Sequence, residues 1–300
     1  MDINLTLASE FGLKPWQVEN TVSLIDDGNT IPFIARYRKE ATGSLDDQLL
    51  RGLADRLDYL RSLEEQKEKV RTAITEQEKM TDEISAAIDA AKTLTEIEDI
   101  YRPFRPKRKT RASAAKEKGL EPLAVKIYEQ LAETKPYDLA HGFLNEEVET
   151  PEDAIQGAKD IIAEMISDDA AARKQLRYVC RTHADISVSS SEEDLGVYEN
   201  YKDYREPVSK IANHRVLAIN RAEKEGVLKV SLDLDKPHGM SVLTGLHVKN
   251  GSDSSDLVRE AAEDAYTRLV FPSIEREIRN ELTDRASTES IKVFARNTAE

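Results

Sequence analysis

One cysteine, Cys180, is the only thiol in the sequence. An intrachain disulfide is thereby excluded, and a reducing compartment is expected. Aromatic residues make up 6% and glycines number 12 in 300 residues. So few rings and turn formers argue against a sandwich or barrel and for a helical protein. No apolar run approaches the ~20 residues of a membrane span, and none follows Met1 as a secretion signal would. The expectation is a cytoplasmic protein with no membrane partner. Its length allows one large or two modest domains.

Catalytic and metal signatures are also missing. His141, His183, His214, His238 and His247 show no paired zinc-ligand spacing. There is no glycine loop of the Walker or dinucleotide type. Gly251 to Asp256 resembles a calcium loop only superficially, because its glycine and terminal glutamate positions fail. Cys180 and His183, three apart on an expected helix, allow a thiolate–imidazole pair but read more simply as core or rim residues. Glu96, Glu98 and Asp99 are explained as acids near a helix N-terminus. With nucleophile, base and metal set absent, neither enzyme activity nor a cofactor is expected.

What is abundant is charge. Asp, Glu, Lys and Arg make up 33% of the chain, and the net charge is −14. One stretch runs the other way. From Tyr101 to Gly119, eight cations (Arg102, Arg105, Lys107, Arg108, Lys109, Arg111, Lys116 and Lys118) face one acid, Glu117, a local +7. Such a reversal creates a positive patch for a phosphate backbone while the bulk stays soluble. Pro103 and Pro106 predict an extended first half. Tyr101 and Phe104 supply rings that either stack on bases or anchor the loop in the core. The segment is read as a nucleic-acid or acidic-partner contact, or as a solvated loop paired with the protein's own acids. Arg36 and Arg38 are secondary phosphate candidates, with Glu40, Asp46 and Asp47 as competing partners.

Apolar spacing predicts helices along most of the chain. Two short ones occupy 3–26. The apolar half of Ile31 to Gly43 is expected to be buried and its basic half exposed. Ser44 with Asp47 reads as a capping box opening a long amphipathic helix, whose stripe is Leu45, Leu49, Leu53, Leu57, Leu60, Leu63, Val70 and Ile74. Further helices are expected over 82–91, from a Thr93 cap, and over 111–118. Pro122 opens another, and helices follow over 152–167 after a Thr150 cap and over 169–183. Residues 184–206 read as irregular chain with a strand edge, and Gly226 to Leu232 alternates like a strand. Pro237 to Gly239 reads as a loop. A last helix starts near Asp256 and is interrupted at Pro272. It reaches the end of the sequence in mid-pattern, so continuation of the natural chain is expected.

One pattern occurs twice: Ala8-x3-Gly12-Leu13-x-Pro15-x2-Val18 and Ala115-x3-Gly119-Leu120-x-Pro122-x2-Val125. Alanine permits close helix approach, glycine makes the turn, and the valine should pack back. This is the spacing of a helix-turn-helix corner, usable for packing or for DNA.

Three stretches together resemble one family. They are Thr30-Ile-Pro-Phe-Ile-Ala-Arg-Tyr-Arg-Lys-Glu-Ala-Thr-Gly43, then Asp99 to Ala112 with Glu117 to Ala124, and His214-Arg-Val-Leu-Ala-Ile-Asn-Arg-Ala-Glu-Lys-Glu-Gly-Val-Leu228. In matching order they resemble the N-terminal portion of the bacterial Tex family of transcription accessory proteins. The resemblance implies a helical region with helix-turn-helix character. In full-length members it is followed by an RNase H-like domain, helix-hairpin-helix elements and a C-terminal OB-fold RNA-binding domain.

The resulting expectation is a mainly α fold. It is a multi-helix array with helix-turn-helix-like corners, a long amphipathic helix and a minor β element in the C-terminal third. The expected domains are a helical domain over 1–190 and a helix/strand region over 191–300. The expected function is non-sequence-specific phosphate contact, with RNA or DNA, through Arg102, Arg105, Lys107, Arg108, Lys109 and Arg111, with Arg36 and Arg38. The alternative is a docking module for RNA polymerase, the ribosome or the later Tex domains.

Overall fold

The computed structural model describes residues 2–105, 109–190, 195–249 and 251–298. It divides into two compact units, Met1–Arg105 and Pro106–Glu300.

The first unit is built along one helix. Its elements are α1 (Ile3–Phe11), α2 (Pro15–Asp26), α3 (Ile31–Tyr37), α4 (Lys39–Thr42), α5 (Asp47–Glu76), α6 (Asp82–Ala90) and α7 (Leu94–Tyr101). At 1.5 Å per residue, the 30 residues of α5 extend about 45 Å. Its buried stripe is Leu50, Leu53, Leu57, Leu60, Leu63, Val70 and Ile74. The helix cap lies two residues beyond the expected position. Asp46, not Ser44, is the cap and accepts from the Leu49 amide at 2.8 Å. Ser44 instead takes φ 63° just after Gly43, which removes it from the extended backbone a cap requires.

Successive stretches of the stripe bury different partners. Leu53, Leu57 and Leu60 meet Leu7, Ala8, Val18 and Val22 of α1 and α2. Leu50 meets Ile34 and Leu45. Leu63, Val70 and Ile74 meet Ile88 and Ile97 of α6 and α7. Bidentate arginine–carboxylate pairs reinforce the first contact: Arg56 with Glu10, and Arg61 with Asp26.

The second unit contains α8 (Arg111–Glu117), α9 (Glu121–Glu129), α10 (Pro136–Ala140), α11 (Pro151–Asp168), α12 (Ala170–His183), α13 (Asn213–Lys224), α14 (Lys236–His247), α15 (Asp253–Asp264) and α16 (Phe271–Thr298). A three-stranded antiparallel sheet completes it: β1 (Asp185–Ser189), β2 (Arg205–Pro207) and β3 (Lys229–Asp233), in the order β2-β1-β3. Ile186 lies opposite Leu232 and Val188 opposite Val230, which places β1's buried positions on the core face. One continuous apolar core joins α8, α9 and α11 to the sheet, α13 and α16. The 190/191 boundary expected from composition falls inside this unit, because β1 pairs with strands on its far side.

Three local expectations are corrected. Pro237 to Gly239 opens α14, with Asp235 as cap accepting from the His238 amide at 3.1 Å. The helix expected from near Asp256 begins at Asp253, as α15, after a Ser252 cap. The interruption near Pro272 is a π-helical segment, Ala265–Val270, directly before α16. Proline has no N–H to give the preceding turn, and a one-residue widening accommodates that loss.

The duplicated corner is present twice. Leu13 N–H donates to Ala8 at 2.9 Å over Gly12 at φ 64°, and Leu120 N–H donates to Ala115 at 3.2 Å over Gly119 at φ 81°. Only the first valine packs back: Val18 is buried and Val125 is exposed. Pro15 is the first residue of α2 but Pro122 is the second residue of α9.

Candidate nucleic-acid interface

The eight sequence candidates do not share one environment. In the first unit, Arg102–Phe104 is a 3-10 turn rather than extended chain. Tyr101 and Phe104 anchor it in the core beside Ile97 and Ile74, and Gln77 Nε2 donates to the Phe104 carbonyl at 3.0 Å. Arg102 is half-buried. Arg105 is ion-paired with Glu98, and its guanidinium lies 5.8 Å from the Tyr101 ring centre. The rings of this segment therefore belong to the core.

Lys107 and Arg108 lie outside the described residues. In the second unit, Lys109 Nζ is 3.9 Å from Glu117. Thr110 caps α8 through a reciprocal pair with Ser113, at 3.0 and 2.8 Å. Arg111 is exposed on the first turn of α8 within the field of two carboxylates. Burial raises the Asp160 carboxyl, with Arg111 among the charges opposing the rise. Asp264 is held below its ordinary value, first by Arg268 and also by Arg111. The described cations of the basic segment are thus largely answered by the protein's own acids.

Arg36 and Arg38 stand differently. Two of their three competing carboxylates are engaged elsewhere: Asp46 caps α5 and Asp47 binds Arg51 at 2.7 Å, while Glu40 is exposed on α4 and pairs with neither arginine. Both arginines and Lys39 are exposed, and none forms an ion pair among the described residues. Ile34 anchors α3 in the core, while Phe33 is half-buried and Tyr37 is exposed. The two rings lie 5.2 Å apart, and the Arg38 guanidinium is 5.2 Å from the Phe33 centre.

Two polar assemblies were not anticipated. Arg173 and Arg177 of α12 are buried, and both bind Glu277 of α16 at 2.6 and 2.9 Å. Arg181 continues the row to Glu281 at 2.6 Å. The clue was available in arginines spaced by four facing glutamates spaced by four. Separately, Tyr128 Oη lies 2.7 Å from His247 Nδ1, and His247 Nε2 lies 3.2 Å from Asp169. Nothing in the spacing of these three residues signals their meeting.

The thiolate–imidazole alternative does not hold. Burial pushes the Cys180 thiol up to about 12, and His183 is exposed with Nδ1 2.7 Å from the Thr182 hydroxyl. Among the described residues no group of three His, Cys, Asp or Glu side chains is arranged to hold a metal, and no helix is long and apolar enough to cross a membrane.

A model of the Tex-like protein N-terminal domain matches residues 1–75, and a model described as Tex central region-like matches residues 132–294. The basic segment lies between the two matches. The chain is 43% identical to the uncharacterized protein YdcI of Bacillus subtilis (strain 168) over 298 residues, which are 97% of this chain and 41% of that protein. It is 39% identical to the transcriptional accessory protein Tex of Neisseria gonorrhoeae over 310 residues, 99% of this chain and 40% of that protein. It is 29% identical to the human S1 RNA-binding domain-containing protein 1 over 317 residues, 99% of this chain and 31% of that protein. The chain thus spans about two fifths of the length of the bacterial relatives, 41% and 40% in these two.

Proposed function

Because the chain belongs to the Tex family, we propose that it is the N-terminal nucleic-acid contact of a cytoplasmic transcription accessory protein, meeting phosphates without reading base sequence. The observation that carries this reading is the set of exposed cations on α3 and α4, Arg36, Arg38 and Lys39, with no carboxylate partner among the described residues. Unpaired surface cations in a chain of net charge −14 are where a polyanion approaches at least cost in desolvation and repulsion. Arg102, Arg105, Lys107, Arg108, Lys109 and Arg111 add a second, longer positive stretch. Those with acid partners exchange a surface ion pair worth about 0–1 kcal/mol for a phosphate contact. The relatives' names, a transcriptional accessory protein and an S1 RNA-binding domain-containing protein, agree with this assignment.

The test is fluorescence anisotropy with RNA and DNA at several salt concentrations. Replacing Arg105, Lys107, Arg108, Lys109 and Arg111 together with glutamine, and separately Arg36 and Arg38, apportions the contact. Each lost phosphate contact lowers the log–log salt slope by about 0.7–0.9. An unchanged slope in both variants removes the assignment.

A second reading is favoured by the Glu98–Arg105 pair and by the acids around Lys109 and Arg111. In that reading the basic segment is part of a surface that docks RNA polymerase, the ribosome or the later Tex domains. It requires no nucleic-acid affinity at moderate salt.

A further inference from the structure

We propose that the α3–α4 surface is a stacking site for single-stranded nucleic acid, with Tyr37 as the ring on which a base lies. The proposal rests on the phosphate-contact reading above and adds to it a ligand form and an aromatic subsite.

Phe33 and Tyr37 are four residues apart on α3 and so share one face. Their exposures differ in a useful way. Phe33 is half-buried, whereas Tyr37 is 65% exposed. A tyrosine left so open contributes little to folding, and its ring is available to a ligand. Around it stand Arg36, Arg38 and Lys39, all exposed and without ion pairs among the described residues, against the single acid Glu40 on α4. The Arg38 guanidinium, 5.2 Å from the Phe33 ring centre, is oriented by that ring without losing its charge to a carboxylate.

The one tryptophan of the sequence lies on α2, the helix that packs against α4. Trp16, on the first turn of α2, is 43% exposed. It lies against the residue that ends α4: a methyl added to Gly43 would fall 2.9 Å from Trp16 Cη2. The Gln17 and Asn20 amides hold α2 to the α4 backbone by donating to the Thr42 and Ala41 carbonyls, at 3.1 and 2.9 Å. Exposed rings are thus fixed on rigid elements at the edge of a cationic surface.

This combination selects among polyanions. A duplex presents phosphates, but its bases are stacked on one another and their faces are covered. An acidic protein surface supplies carboxylates but not a planar π face beside every negative charge, as a nucleotide strand does. A single strand supplies both, and ring stacking is tolerant of sequence because every base has a π face.

The experiment uses the 300-residue chain with fluorescein-labelled oligo(dT), oligo(rU) and a duplex of equal length. Wild type, Tyr37→Ala, Tyr37→Phe and Arg36→Gln/Arg38→Gln are compared, with circular dichroism and melting temperature confirming that each is folded. The expected result is preference for the single strands and a loss of about 5- to 160-fold in single-strand affinity for Tyr37→Ala. Tyr37→Phe should stay within about twofold, and duplex binding should not change in Tyr37→Ala. The arginine variant should lower the single-strand salt slope by about 1.4. Equal binding of single and double strands, unaffected by Tyr37→Ala but weakened in the arginine variant, overturns the stacking site and leaves phosphate contact standing. Absence of binding to every oligonucleotide at low salt removes both readings. Equally tight binding of poly-glutamate, insensitive to Tyr37→Ala, identifies an acidic protein surface as the partner and also overturns the proposal.

Discussion

Gly239 lies directly against Tyr266: a methyl placed on its Cα would fall 2.3 Å from the tyrosine hydroxyl and 2.6 Å from Cε2. Gly239 sits in the first turns of α14, and Tyr266 in the π-helical segment that leads into α16. The glycine is there because a ring occupies the space of a side chain, not because the backbone turns. Tyr266 is buried, and burial raises its hydroxyl well above the ordinary tyrosine value.

Gly239→Ala is therefore expected to destabilise the second unit. Alanine gains about 1 kcal/mol of helix propensity, but a rigid, buried ring cannot yield as the end of an aliphatic chain can. Overpacking of this kind costs about 1–3 kcal/mol, and with two ring carbons and the hydroxyl oxygen inside 3 Å the upper part of that range applies. Urea denaturation of wild type and variant reads the difference. A variant more stable than wild type would remove the close-approach explanation.

Glu277 is the shared carboxylate of two buried arginines. Burial pushes its carboxyl up, but the charges of Arg173 and Arg177, with hydrogen bonds from Arg177 and Ser273, outweigh this and hold it below the ordinary glutamate value. Glu277→Ala takes that carboxylate from both guanidiniums and should cost about 3–5 kcal/mol. Glu281→Ala, which removes the exposed pair with Arg181, should cost about 0–1 kcal/mol. Denaturant midpoints of the two variants test the contrast.

Asp169 links acid stability to the junction of α11, α12 and α14. The His247 imidazole, whose Nε2 is 3.2 Å away, holds the carboxyl below its ordinary value against an opposing push from burial, with the Ala171 and Ala172 amides adding to the lowering. A depressed folded-state value means stabilisation above the unfolded aspartate value of about 3.9. That stabilisation is lost as the pH falls through the lower folded-state value. Asp169→Asn keeps an amide oxygen to cap α12 but removes the charge. Its melting temperature should fall below wild type at neutral pH, and the two should converge in acid. Asp169→Ala also loses the cap and should cost a further ~1 kcal/mol.

Cys180 should be inert in the folded protein. Its side chain is buried and its thiol is pushed up to about 12, so the thiolate that reacts is scarce at neutral pH. A chromogenic disulfide reagent should label it only slowly under native conditions and fully in denaturant. Rapid native labelling would place the residue at the surface instead.

Legibility in the sequence followed the range of the interactions. The stripe from Leu53 to Ile74 was readable because one helix repeats the same demand every three or four residues. The Thr93 and Thr150 caps were readable because donor and acceptor are three residues apart. Ser44 and Asp46 are both cap-type residues, and although only Ser44 has an acid three positions on, the left-handed Gly43–Ser44 backbone gives the cap to Asp46. The candidate site was legible as charge but not as pairing. Counting cations finds Arg105 and Arg38 equally, while only the fold brings Glu98 to the first and leaves the second open.

By itself the sequence determined the helical class, the two glycine corners, the long central helix and the location of the cations, since each follows from residue type and local spacing. Tertiary structure alone decided which of those cations keep their charge available and which rings stay outside the core. It also decided that α12 meets α16 through Arg173, Arg177 and Glu277, and that a glycine stands where Tyr266 needs room. The α12–α16 contacts join side chains 104 and 100 residues apart in the chain, while Gly239 with Tyr266 and Arg105 with Glu98 are closer in sequence but belong to no local pairing pattern. No local pattern encodes the distance that decides whether a charge is answered.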